Sequence, residues 1–406
     1  MLKKFFIYGC GNVLAGIIPF LLLPYLTSHL SPAQMGSVGF IESIIMLVSP
    51  LVIFGADGSY CSFYNKHSSS GRELLLASLI QLSTMIALCF IPVLLVVSFF
   101  NLLPIQIDTI WILSLFAVFL SMAINALACA HFQMEEQALA YVVYKVVGIA
   151  VTTVITLFAI SQWQMGAEGR LLGIYLGPFF LALGWLICLI MQKDLKLFQF
   201  HVEFIKKGFH FGFGMLLHSW SAVIFFASDR VIIGYLLGSD TLGQYVVASQ
   251  IGMIMALVQN TFSQVWTPHT FKLFSRSSVN EFSLQSKFAV ALLFISTVIL
   301  MLLVPVLYKY FIDDRYTQMK SITYWVIATY FFLGVYKVYV VKLFYAEKTK
   351  ELAKITTFCS VFNVIITFFF VMKWGVAGGA IATFLSSIVF AALVYYRGRS
   401  YGKTLS

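Results

Sequence analysis

The sequence predicts an all-α integral membrane protein with twelve transmembrane helices, arranged as two parallel six-helix halves around a central cavity. Three observations predict this fold: the composition, the length of the apolar runs and an internal repeat. Of the 406 residues, 60% are hydrophobic and only 10% are charged, and the mean hydropathy is +0.92. Because a soluble domain carries about 25% charged residues, lipid rather than water must surround most of this chain.

The apolar runs have the length of membrane-spanning helices. A helix needs about 20 apolar residues to cross the hydrocarbon core, whereas a barrel strand is about half that length and alternates in polarity. The first run is too long for a signal peptide and has no cleavage site, so it is expected to be retained. The twelve runs lie at about 5–27, 38–63, 74–99, 109–132, 140–161, 171–191, 211–236, 245–266, 288–308, 322–344, 355–372 and 376–396.

The basic residues predict the orientation of these helices. With both termini in the cytoplasm, 18 of the 26 Lys and Arg residues fall on the cytoplasmic side and five outside, as the positive-inside rule requires. The net charge of +10 is thereby explained through contact with anionic lipid headgroups, without nucleic acid. The two longest connections, about 192–208 and 267–287, are both predicted to be cytoplasmic. The five basic residues outside are Arg170, Lys309, Arg315, Lys320 and Lys373.

Two pairs of segments indicate an internal repeat. Residues 154–163 and 365–374 share four identities in ten, and a Gly-x-x-Gly turn follows each of them. The turn at 30–36 likewise resembles the turn at 237–243. Six spans per copy make the copies parallel, and transporters of that build hold their substrate between the halves and alternate access by rocking. The predicted halves are residues 1–200 and 201–406.

Specific strings in the chain resemble a known family. The segment Ser228-Asp-Arg-Val-Ile-Ile-Gly-Tyr-Leu-Leu-Gly238, followed by Gly243-Gln-Tyr245, is similar to the seventh and eighth spans of the bacterial polysaccharide flippases. The first-loop segment Leu30-Ser-Pro-Ala-Gln-Met-Gly36 fits that family's Leu-Ser-Pro-x-x-Tyr-Gly pattern, except that Met35 replaces the usual Tyr. The family is the Wzx-type O-antigen flippases, within the multidrug/oligosaccharidyl-lipid/polysaccharide exporter superfamily.

The resemblance implies a transporter of the bacterial inner membrane. Its substrate would be an undecaprenyl-pyrophosphate-linked oligosaccharide, from an O-antigen or a related surface polysaccharide, carried from the cytoplasmic to the periplasmic face. The resemblance also implies coupling to H⁺ or Na⁺, with membrane lipids and other polysaccharide assembly proteins as partners. We expect no cofactor and no metal site, because the six Cys residues are never closer than 28 positions apart.

The basic residues inside the predicted spans are candidates for substrate binding. A pyrophosphate cannot enter hydrocarbon unshielded, and ionisable residues within spans are functional hypotheses by default. Arg230, Lys337 and Lys145 are therefore predicted to line the cavity. A structural ion pair for Arg230, and snorkelling to the headgroups for the two lysines, are the alternatives.

The acidic residues inside the spans are candidates for ion coupling. Asp57 lies between glycines that suggest a broken or closely packed helix, where it would carry a proton or pair with Lys145 or Lys337. Asp229, beside Arg230, and Glu42, near the outer end of its span, are the other two candidates.

Two further functions compete with the flippase hypothesis. A cation-coupled multidrug exporter of the same superfamily would favour an acidic cavity, but the within-span charges are balanced. A membrane polysaccharide polymerase would need a large exterior loop, and the predicted outer loops are short. The loops contain no nucleotide-binding glycine loop, paired-carboxylate site or metal cluster, so no enzyme activity is expected.

Overall fold

The computed structural model describes residues 2–105, 108–191, 199–275 and 279–402, and these residues form helices and short connections without any strand. A 3₁₀ helix at Asp314–Met319 precedes the last two α-helices. The α-helices are α1 Leu2–His29, α2 Pro32–Ile53, α3 Ala56–Tyr64, α4 Ser69–Phe99, α5 Thr109–Met134, α6 Ala138–Ser161, α7 Ala167–Met191, α8 Val202–Leu237, α9 Ser239–Gly252, α10 Ile254–Ser275, α11 Val279–Phe311, α12 Lys320–Tyr345 and α13 Thr349–Gly402.

The described helices confirm an all-α, multi-pass membrane protein. Ten of them, counting helices that continue across a short break as one, are long and apolar enough to cross a membrane, and Gly16–His29 is a shorter apolar helix. The longest, Thr349–Arg399, has 51 residues and would extend about 76 Å if straight, more than twice the hydrocarbon thickness. It bends at Gly375 and so contains the last two predicted spans.

The helices extend beyond the apolar runs at the two longest predicted connections. The structure begins α8 at Val202, continues α10 to Ser275 and begins α11 at Val279. The predicted loops at 192–208 and 267–287 were therefore too long. Hydropathy marks where lipid ends, but the hydrogen-bonded helix continues into water wherever the residues tolerate it.

Two glycine turns close similar helical hairpins. Gly166, just before α7, has φ +56°, and Gly375 has φ +60°. Backbone of this kind is costly for any residue with a Cβ. Three residues further on, a Cβ on Gly169 would lie 3.2 Å from the carbonyl carbon of Ala159, and one on Gly378 would lie 2.0 Å from Phe370 O. The two hairpins thus pack at corresponding positions of the two repeated segments.

The predicted break beside Asp57 is present. Between α2 and α3, Phe54 has φ +49° and Gly55 has φ +62°. The break is packed against α8, because a Cβ on Gly212 would lie 2.1 Å from Phe54 O. Gly55 therefore serves the helix break, and Gly212 on α8 allows the close helix contact.

The chain divides into two compact units. The first contains Met1–Leu22 and Phe40–Val223, and the second contains Leu23–Gly39 and Ile224–Ser406. In the first, Tyr60, Leu79 and Leu127 belong to one buried core cluster; in the second, Leu343 and Val394 belong to another. The functional halves 1–200 and 201–406 stay a prediction.

Within the second unit, the turn between α1 and α2 meets the turn between α8 and α9. A Cβ on Gly36 would lie 1.7 Å from Ser239 O, and a Cβ on Gly243 would lie 1.8 Å from Pro32 O. Gly36 corresponds to Gly243 in the predicted repeat, and Pro32 corresponds to Ser239. The contact is therefore reciprocal, and only glycine at both positions allows the backbones to approach so closely.

Candidate functional site

A pocket in the first unit combines apolar walls with two cations. It has a volume of about 390 Å³ and lies between α1, α5, α6 and α7. Leu22, Pro178 and Leu181 contribute apolar surface, and the side chains of Lys145 and Arg170 line the same space. Such a pocket suits a ligand that carries both negative charge and hydrocarbon.

Arg170 lies in the first turn of α7 and is tied to the neighbouring helices. Its Nη2 is 3.1 Å from Glu42 Oε1 on α2, and its Nη1 donates to Thr156 Oγ1 on α6 at 3.4 Å. The side chains of Arg170 and Glu42 are 13% and 25% exposed, respectively. This is a largely buried ion pair, so removing either partner leaves a charge in a poorly solvated place.

Lys145 lies on the same face of α6 as Thr156, eleven residues closer to the start of the helix. Eleven residues make about three helical turns, so the two residues are separated by about 16 Å along the helix axis. The Lys145 ammonium lies 5.0 Å from the ring centre of Tyr141, a cation–π distance. The pocket therefore offers positive charge at two levels.

A hydrogen-bonded pair stiffens the wall between these cations. Asn125 Nδ2 donates to Pro178 O at 3.0 Å, and the Tyr144 hydroxyl donates to Asn125 Oδ1. Both side chains line the pocket. Their mutual bond holds an amide and a phenol at the surface that a polar headgroup would contact.

Asp229 and Arg230 lie in the second unit and are not joined side chain to side chain. The backbone N–H of Arg230 donates to Asp229 Oδ1 at 2.7 Å, and the hydroxyl of Tyr245 donates to Asp229 Oδ2. The guanidinium of Arg230 points instead to Met253, with Nη2 3.5 Å from the sulfur. Asp229 is thus a buried carboxylate whose hydrogen bonds come from a phenol and a peptide group.

The cavity beside Asp229 is small, and its lining mixes polar with apolar side chains. Its volume is about 30 Å³, and Tyr245, Ser249, Thr329 and Thr383 are among the polar residues that line it. A space of this size holds one or two water molecules or a single cation, since a water needs roughly 10–15 Å³. A pyrophosphate cannot enter it.

Lys337 is held by an amide on α10. Its ammonium donates to Asn260 Oδ1, and it takes part in none of the ion pairs between described side chains. The neighbouring tyrosines are already packed: Tyr336 stacks on Phe390 at 4.3 Å, and Tyr339 meets Tyr395 edge-on at 4.8 Å. Their rings are therefore occupied by the protein.

Asp57 is exposed in the first turn of α3 and forms no ion pair with Lys145 among the described residues. Of the six predicted site residues, Lys145 lines the pocket of the first unit, and Glu42 reaches the edge of that pocket through Arg170. Asp229 and Arg230 line one cavity of the second unit. Arg170 was predicted to be a loop residue outside; no sequence signal placed it opposite Glu42.

Solved structures with this fold are membrane transporters. The inward-facing conformation of a multidrug resistance MATE family transporter of the MOP superfamily matches with a TM-score of 0.77 and 15% identity, over 98% of this chain and 95% of that one. A MOP-superfamily transporter from Pyrococcus furiosus, described as having a binding pocket of reversed polarity, matches with a TM-score of 0.68 and 15% identity, over 99% and 96% of the two chains. The chain therefore has the MOP-transporter fold.

The family follows from the sequence. The family model for polysaccharide biosynthesis proteins matches residues 1–274, so this chain belongs to that family. A protein of Haemophilus influenzae named as an uncharacterized membrane protein is 26% identical over 412 residues, covering 97% of this chain and 94% of that one. The predicted resemblance is confirmed at the level of family and fold, and the two solved structures are of transporters.

Proposed function

We propose that this protein is a flippase for lipid-linked oligosaccharides. Its substrate is an undecaprenyl-pyrophosphate-linked repeat unit of an O-antigen or a related surface polysaccharide. Transport runs from the cytoplasmic to the periplasmic face of the bacterial inner membrane, with both termini in the cytoplasm. The two halves, 1–200 and 201–406, alternate access, and H⁺ or Na⁺ drives the cycle.

The observation that carries this proposal is the pocket with Lys145 and Arg170. Two cations at two levels of an apolar pocket offer two successive binding positions to a phosphate headgroup on a hydrocarbon chain. Arginine binds phosphate through its planar fork, and lysine does so as a point charge. A transporter of cationic drugs would need the opposite polarity at this place.

Arg230 and Lys337, both in the second unit, are proposed as further substrate-binding residues. Among the described side chains, Lys337 has an amide partner and no carboxylate partner, so its charge is available to an anion. The guanidinium of Arg230 contacts a sulfur atom, which is a weak acceptor. Both cations would gain more from a phosphate than they lose by leaving their present partners.

Asp229 is the leading residue for ion coupling. The small cavity beside it has room for water or a single ion, and several hydroxyl-bearing side chains line it together with Arg230 and apolar residues. Asp57 and Glu42 remain proposals for the same role; Asp57 is exposed, and Glu42 is tied to Arg170.

Deletion of the gene and analysis of the cell surface test the flippase. We expect loss of the surface glycan, with intact repeat units trapped on the cytoplasmic face of the membrane. Single units on the outer face would instead indicate a polymerase. An unchanged glycan with new drug sensitivity would favour the multidrug exporter, the function after which the MATE structures are named.

A further inference from the structure

The ion pair between Arg170 and Glu42 stands at the edge of the cationic pocket. Arg170 lines the pocket, whereas Glu42 reaches it only through Arg170. Glu42 thus contacts one side of the Arg170 guanidinium, and the other side of Arg170 faces the pocket.

The guanidinium is only partly satisfied by its partners. Arginine carries five N–H donors, and the contacts between described residues use one for Glu42 and one, at 3.4 Å, for Thr156. Its Nε makes no hydrogen bond in the part of the chain that the structure describes. The position of Arg170 in the first turn of α7 adds the positive end of the helix dipole to its own charge.

We infer that Glu42 pairs with Arg170 until the phosphate headgroup of the substrate binds and displaces it. The headgroup oxygens compete with the Glu42 carboxylate for the same guanidinium, and the bidentate Arg–phosphate contact replaces the ion pair. Glu42 is therefore a residue that sets affinity through Arg170, not a residue that binds the substrate. This inference rests on the proposed function, because it takes a phosphorylated lipid as the ligand.

The exchange has a consequence for the charge of the site. While the pocket is empty, Glu42 neutralises Arg170, which keeps an uncompensated charge out of a poorly solvated place. When the headgroup binds, its negative charge takes over that role and Glu42 is released. A cation must then balance Glu42, so substrate and counter-ion are linked at one residue pair.

Lys145 offers the headgroup a second position in the same pocket. It lies about 16 Å from the level of Arg170 along α6, and its ammonium faces the Tyr141 ring. A headgroup held first at one cation reaches the other within this pocket, and at the Arg170 position it must displace Glu42.

Binding of a defined probe to the full-length protein in nanodiscs tests the inference. Farnesyl diphosphate is titrated against the natural protein and against Glu42→Gln, Arg170→Gln and the double variant, with Kd measured by calorimetry. Gln at 42 keeps the shape and the hydrogen-bond acceptor but removes the competing charge. Glu168→Gln removes one acidic charge from the same first turn of α7, outside the pocket lining, and is the matched control.

We expect Glu42→Gln to bind the probe at least about two- to fivefold more tightly, because the headgroup no longer has to displace a competing carboxylate from Arg170. Arg170→Gln should bind it about tenfold more weakly or worse. In the double variant the gain from Glu42→Gln should vanish, because Glu42 acts only through Arg170. Glu168→Gln should match the natural protein.

If the ion pair between Glu42 and Arg170 has only a structural role, the binding measurements should give the opposite pattern. Weaker or unchanged binding in a well-folded Glu42→Gln variant, or full binding in Arg170→Gln, overturns the inference. Melting temperatures separate these results from misfolding, and Arg170→Lys retains the charge if the Gln variant does not fold.

Two further binding measurements identify the source of the phosphate that the pocket binds. Inorganic pyrophosphate that competes as well as farnesyl diphosphate would mean a site for free anions and would overturn the lipid ligand. Nanodiscs rich in phosphatidylglycerol that abolish probe binding would reassign the pocket to bulk lipid headgroups. If the binding pattern holds but gene deletion leaves the surface glycan intact, the pocket stands and the flippase function fails. If gene deletion abolishes the surface glycan but the binding pattern is absent, the flippase function stands and the inference about the pocket fails.

Discussion

The phenolic hydroxyl of Tyr245 donates a hydrogen bond to the carboxylate of Asp229, and both side chains are buried. This hydrogen bond joins α9 to α8 beside a cavity of about 30 Å³. The backbone N–H of Arg230 is the second donor to the same carboxylate. The pair thus holds a buried carboxylate beside this cavity, where we propose that the coupling ion binds.

Removing the phenolic hydroxyl tests this arrangement. Tyr245→Phe leaves Asp229 with one donor fewer, and we expect a loss of about 1–3 kcal/mol in stability, together with impaired ion-coupled transport. Thermal unfolding in detergent and the glycan complementation assay measure the two effects. Tyr175→Phe, which loses a 3.2 Å hydrogen bond to the neutral carbonyl of Trp111, is the matched control and should retain transport. Equal losses in both variants would contradict a special role for Asp229.

The glycine contact in the second unit gives a prediction about stability. Gly36→Ala and Gly243→Ala each place a methyl group within 1.8 Å of a backbone oxygen, so the turns must move apart. We expect severe destabilisation, of at least the roughly 1–3 kcal/mol typical of overpacking. Gly214→Ala and Gly184→Ala, which meet no atom within 4 Å, should be neutral or more stable by up to about 1 kcal/mol. Melting temperatures compare the four, and tolerance of Ala at 36 and 243 would contradict this packing.

The bend in α13 gives a prediction about backbone strain alone. Gly375 has φ +60° and ψ −143°, yet a Cβ there would meet no atom within 4 Å. Gly375→Ala should therefore cost about 1–3 kcal/mol through the backbone conformation, without a clash. Unfolding measurements on Gly375→Ala and Gly214→Ala should differ by this amount. Similar values would mean that the bend is not rigidly maintained.

The two cations of the second unit give a prediction about transport. Arg230→Ala and Lys337→Ala should abolish export of the repeat unit, because each removes a positive charge from the proposed substrate path. Protein abundance in the membrane should remain normal. Lys309→Ala, which removes an ammonium resting 5.3 Å from the Tyr310 ring, is the control. Full transport by both Arg230→Ala and Lys337→Ala would remove these residues from the path.

The sequence predicts the helices well and the partners of the site residues poorly. Each of the twelve apolar runs lies in a helix or in a pair of adjoining helices, because burial in lipid fixes hydropathy over whole turns. The break beside Asp57 was likewise predictable, since glycine is the residue that most readily adopts the positive φ of Gly55. The partner of Glu42 was not: Arg170 lies 128 positions away, and which helix faces which is decided by packing. Asn260, the partner of Lys337, was missed for the same reason.

The reciprocal contact of Gly36 and Gly243 ties the two repeated turns to each other. In this reciprocal contact, each turn approaches the backbone of the other at the corresponding residue. A two-fold axis between identical chains produces the same pattern. The same contact would therefore form between two copies of a single six-helix chain. Neither turn can change alone, because every atom added to one must be accommodated by the carbonyl of the other.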